Sequence, residues 1–82
     1  MLLANYITNL IKEKDITYVE LSKQLGWHPV NIRLWAKGKN IPRKIALEDL
    51  AAFIDPKKQT EIETMLFDMR VKDLESRGQK RG

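Results

Sequence analysis

GWHPVNIRLWAKGKNIPRK, Gly26 to Lys44, is the stretch on which the reading of this chain turns. It opens on a glycine, sets a proline three residues on, spaces Ile32 and Trp35 three apart and meets a second glycine at Gly38. Between Arg33 and Lys44 it carries five cations and no acid. Proline suits the first position of a helix, where an N–H would have no intrahelical partner, and His28 stands in the capping place before it. A helix from Pro29 turns Ile32 and Trp35 to one inner side, and Gly38 ends it at little cost because glycine accepts positive φ.

Upstream, Thr17-Tyr18-Val19-Glu20 fits a capping box, in which the threonine hydroxyl takes the amide three residues on and the glutamate reaches back. A short helix is expected from there to Gly26, with Val19 or Leu21, then Ser22 and Leu25, facing inward. Before it, Leu3, Tyr6, Ile7, Leu10 and Ile11 recur at the three-and-four spacing of one buried helical face, closed by Lys12-Glu13-Lys14-Asp15. Downstream, Pro42 and the basic pair after it open a fourth helix, whose inward stripe is Leu47, Leu50, Ala51 and Ile54.

Asp55-Pro56 repeats the cap-then-proline signature and opens a fifth helix expected to run to about Glu75. At about 100° per residue, Ile62, Met65, Leu66 and Met69 cluster on one side, while Phe67, Val71 and Leu74 fall roughly 150° away. The first set packs on the core. The second needs a partner, most simply a second copy of the chain, unless it is only patchy exposed surface. Residues 76–82, SRGQKRG, read as a mobile basic tail. With strand-like alternation missing throughout, the expected architecture is all-α: one five-helix domain over residues 1–75, its last helix (about 56–75) extended for dimerisation.

The 82 residues contain no cysteine, which removes disulfides, thiolate metal sites and a cysteine nucleophile, and suits the cytoplasm. No run is long and apolar enough for a membrane span or signal peptide. The net charge is +4, and its distribution says more: residues 1–32 balance, residues 33–44 carry +5, and residues 45–82 carry −1. A cationic stripe confined to one short segment is an electrostatic footprint for phosphate backbones or acidic surfaces.

A short helix, a tight turn with a glycine and a second helix with fixed inward apolar positions is the helix-turn-helix plan, here helices two and three. From about Leu3 to Ile54 the chain resembles the phage repressor and Cro type of helix-turn-helix domain. The resemblance rests on LSKQLG at Leu21–Gly26, the inward pair Ile32 and Trp35, then Gly38 and Pro42, in that order and spacing. Members of that family mostly place alanine where Ser22 stands and often a polar base reader where Pro29 stands, and a proline cannot read a base edge by hydrogen bonding.

The resemblance implies that the third helix lies in the major groove, presenting Pro29, Val30, Arg33 and Leu34, flanked by Asn31 and Lys37. Arg33 is the prime candidate for reading guanine through O6 and N7; Val30 and Leu34 offer apolar surface to thymine methyls, and Asn31 suits adenine or a backbone contact. Lys37, Lys39, Asn40, Arg43 and Lys44 are expected to meet phosphates, which supply affinity without choosing sequence. The helix start at Thr17 and Tyr18 resembles a family phosphate site, and His28 reads as a cap within reach of another phosphate. Trp27 and Trp35 match inward family positions and are expected in the core.

The expected function is a sequence-specific transcriptional regulator, a repressor first, that binds a palindromic operator in double-stranded DNA as a homodimer joined through Phe67, Val71 and Leu74. The alternative is a protein-interaction module, such as an antitoxin that holds a partner protein through helix five with DNA binding secondary. No nucleophile-base set, phosphate-cradling glycine loop or metal-ligand cluster points to an enzyme, a cofactor or a metal.

Overall fold

The computed structural model describes residues 1–79 and is built from five α-helices, with no strand among the described residues: α1 Leu2–Lys14, α2 Tyr18–Leu25, α3 Pro29–Ala36, α4 Lys44–Ile54 and α5 Gln59–Gln79. Their ends follow local chemistry. At α2 both halves of the capping box form, with Glu20 N–H donating to Thr17 Oγ1 at 3.1 Å and Thr17 N–H donating to Glu20 Oε1 at 3.0 Å. Gly26, at φ 75°, closes that helix in the left-handed region. Pro29 heads α3, and His28 Nδ1 accepts from the Val30 amide at 3.2 Å. Asp55 caps in the same way, but onto a single 3-10 turn, Pro56–Lys58, that precedes α5.

One apolar cluster joins the helices. Leu3 and Ile7 from α1, Leu21 from α2, Ile32 from α3, Leu47 from α4 and Leu66 from α5 are each at most 1% exposed. A fully buried side chain of this size contributes about 1.5–3 kcal/mol, whereas a cap contributes about 1 kcal/mol, so the cluster dominates the hold. α1 packs on α3 and α5, α2 on α3 and α4, and α5 on α4. The radius of gyration is 12.4 Å, close to the value of about 12 Å expected for a packed chain of this length, so α5 lies along the body.

Three expectations need correction. Met65 is 38% exposed rather than inward, because the buried ridge of α5 runs through Ile62, Leu66, Met69 and Asp73, and Met65 stands off its edge. Phe67, expected on the partner-seeking stripe, is half-buried against this chain's own core, with the Lys44 ammonium 5.7 Å from its ring centroid. The helix also outruns Glu75: residues 76–79 remain helical, and Arg77 is hydrogen-bonded to the body of the molecule instead of belonging to a mobile tail. Lys80, Arg81 and Gly82, the rest of that expected tail, lie outside the described residues.

A charged ridge explains the longer helix. Arg70, Asp73 and Arg77 recur at three and four residues, continuing the inward face of α5 where its apolar stripe gives out. Asp73, 3% exposed, accepts from the Leu2 and Leu3 amides at 2.9 and 3.0 Å and so caps α1 from across the fold. Arg70 Nε donates to Pro42 O at 3.0 Å, and Arg77 donates to Gly38 O at 2.8 Å and Lys39 O at 3.0 Å.

Candidate nucleic-acid interface

Burial fixes which side of α3 is free. Ile32, Trp35 and Ala36 are buried against the core. At about 100° per residue the opposite direction passes through Val30, Arg33, Leu34 and Lys37, while Pro29 and Asn31 stand to either side. Val30 is 49% exposed and Arg33 and Lys37 are exposed; Pro29, Asn31 and Leu34 are partly buried. The structure therefore brings Val30, Arg33, Leu34 and Lys37 together on one open face. Asn31 instead lines a groove with Trp27 and Trp35, on the flank of that face.

Trp27 anchors the turn that aims α3. Its ring meets Trp35 edge-on, with centroids 5.6 Å apart, and its Nε1 donates to Asp49 Oδ2 at 2.8 Å. Ser22, 4% exposed, donates its hydroxyl to Val19 O at 2.6 Å, which satisfies a polar group where a larger side chain would push into the core. Both residues are half of a packing joint between α2 and α3. Val30 and Arg33 are thus set on a helix whose inner side is packed into the core.

The cations after α3 are exposed and pair with no acid among the described residues. Among the described residues the single ion pair is Lys72–Asp68, at 3.0 Å, far from this segment in sequence. Arg33, Lys37, Lys39, Arg43 and Lys44 are all exposed, as is Asn40. The N-terminus of α4 sharpens this imbalance, because it has no side-chain cap bond and no acid in its first turn, and it starts on Arg43 and Lys44. Cations at the positive end of a helix dipole are unfavourable by on the order of half a kcal/mol each until an anion arrives.

His28 faces solvent, and because its Nδ1 accepts the Val30 amide, the Nε2 position is left to carry the outward N–H. Thr17 is a different matter. Its amide and that of Glu20 are consumed in the capping box, and the Glu20 carboxylate occupies that helix start. This removes the Thr17 amide from the expected phosphate contact and leaves the first-turn amides of Tyr18 and Val19, which have no intrahelical acceptor.

Of the expected partner face on α5, Val71 and Leu74 are exposed at 48% and 41%, while Phe67 is partly buried against the chain's own core. Leu74 lies across an open groove of about 570 Å³ from Ile41 and Ile45, and Ile45 is 59% exposed. Sequence reasoning missed Ile45. Its signal was present, since Ile45 falls out of phase with Leu47, Leu50 and Ala51 on α4 and so had to point away from the core. Arg70, Asp73 and Arg77 were also missed; their mark was a charged triplet at inward spacing.

No group of three His, Cys, Asp or Glu side chains among the described residues is placed to hold a metal ion, and no described helix is long and apolar enough to cross a membrane. No family model matches the chain, and neither curated proteins nor solved structures give a match.

Proposed function

We propose that this protein binds double-stranded DNA as a sequence-specific regulator, a repressor that covers its operator, with α2 and α3 acting as a helix-turn-helix and α3 entering the major groove. The observation that carries this reading is the free face of α3: Val30, Arg33 and Lys37 exposed beside a partly buried Leu34, continuous with a basic segment that pairs with no acid among the described residues. Major-groove reading needs donors and apolar groups on a rigid helix, and phosphate binding needs unpaired cations beside it. Both requirements meet here on adjacent surface. Lys37, Lys39, Arg43, Lys44 and the His28 Nε2–H supply the phosphate contacts, Asn40 stands among them, and Arg33 is the base reader.

Selection of bound sites from random duplexes tests the reading. The expected product is a palindrome with half-sites about 34 Å apart, the spacing of two α3 helices related by a twofold axis. Arg33→Ala is expected to cost about 1–3 kcal/mol on the selected site and to relax preference at one base pair. Equal loss on selected and random duplexes would move Arg33 from base to phosphate, and no duplex binding in dilute salt would end the DNA reading.

A second reading is favoured by one observation, the exposed apolar side chains Ile45 and Leu74 that line the groove, with Val71 exposed one turn back on α5. In the dimeric regulator that face is the seam between two copies; in an antitoxin-like module it holds a different protein. Light scattering separates them. A dimer that Leu74→Glu converts to monomers, with loss of operator affinity, supports the seam, whereas a monomeric wild type assigns the face to another partner.

A further inference from the structure

The basic loop between α3 and α4 is shaped from a distance. Within the loop, the Lys39 and Asn40 amides both donate to Leu34 O, at 3.0 and 3.4 Å, and Gly38 takes φ 76°, so the chain leaves α3 in a tight curl. That curl aims the carbonyls of Gly38 and Lys39 at α5, where one guanidinium nitrogen of Arg77 reaches both. At the far end of the loop, Arg70 takes the carbonyl of the buried Pro42. The Gly38 and Lys39 carbonyls lie just past the negative end of the α3 dipole, so a fixed cation there is favourable, and the two N–H donors of one terminal Arg77 nitrogen hold both oxygens.

We propose that Arg70 and Arg77 are positioning residues for phosphate binding: held on α5, they fix the loop that carries Lys37, Lys39 and Asn40 toward Arg43 and Lys44, so the phosphate contacts depend on α5 being docked. This rests on the DNA reading given above. Arg77 is half-buried and one terminal nitrogen is turned to two loop carbonyls, so it acts through the loop. The consequence is a coupling between two surfaces, because whatever engages α5 beside Leu74 also bears on the loop that grips the backbone.

The test compares Arg77→Ala and Arg77→Lys with the wild-type chain in two measurements. Amide hydrogen exchange without DNA is expected to quicken by about tenfold at Lys39 and Asn40 in both variants, with the α2 amides unchanged as the check on folding. Lysine keeps the charge but is one bond shorter and lacks the planar guanidinium that reaches both carbonyls, so a positioning role predicts that it fails to rescue. In the second measurement, binding to a random-sequence duplex is followed against salt. A lost loop geometry removes several phosphate contacts, so the slope is expected to fall by about two units or more, against about 0.9 for a single contact. Unchanged loop exchange, or full rescue of affinity and slope by Arg77→Lys, would overturn the proposal. If the wild-type chain binds no duplex, the DNA reading fails and the phosphate role falls with it, while the exchange data still decide whether the clamp exists.

Discussion

Side-chain hydrogen bonds hold both the helix starts of the α2–α3 segment and the C-terminal half of α5, but the bonds span very different lengths of chain. In the first, Thr17 and Glu20 pair across three residues and His28 reaches Val30 across two. In α5, Arg70 reaches back 28 residues, Arg77 reaches 39 and 38, and Asp73 reaches 71 and 70. Bonds of the first kind form as soon as the turn forms, and therefore impose a residue pattern that can be read directly. Bonds of the second kind exist only once the core has brought distant segments together, and they leave no trace but an interruption in an apolar stripe.

That difference is measurable. Trp35→Ala is expected to have the largest effect, about 3–5 kcal/mol lost in chemical denaturation, because it empties the space beneath α3 and removes the edge-on partner of Trp27. A loss under about 1 kcal/mol would mean that caps and turns, not the core, hold α3. Asp73→Ala comes next, at about 2 kcal/mol, since it strips the acceptor from two amides at the start of α1. If instead it matched an ordinary surface change, the long-range half of the comparison would lose its strongest member. Thr17→Ala is the smallest, about 1 kcal/mol, and its effect belongs to α2 alone. Amide exchange that spread from α2 into α5 in that variant would show that the two regions are not independent.

Much of the candidate interface was legible because it is built from local signals. Pro29 and Gly38 bracket α3, and Ile32 and Trp35 mark its inner side, so Val30, Arg33 and Leu34 had to lie outward. The partner-seeking stripe of α5 was legible only in part. Helical periodicity placed Phe67 with Val71 and Leu74, but angle alone does not say how far a neighbouring helix reaches round, and α4 with Lys44 reaches Phe67. Ile45 joins the exposed run from another helix altogether. Likewise, Ser76-Arg77-Gly78 reads as tail by composition, because the carbonyls that hold Arg77 belong to residues 38 and 39.

The sequence alone determined the helices, their caps and the local excess of positive charge, because each follows from groups within a turn or two of one another. Tertiary structure decided that Arg70, Asp73 and Arg77 face inward as ligands for distant backbone, that Phe67 is satisfied at home, and that Leu74 and Ile45 share a groove. The physical reason is that burying a charged side chain is unfavourable unless particular partners await it, and which backbone groups wait there depends on how the helices pack.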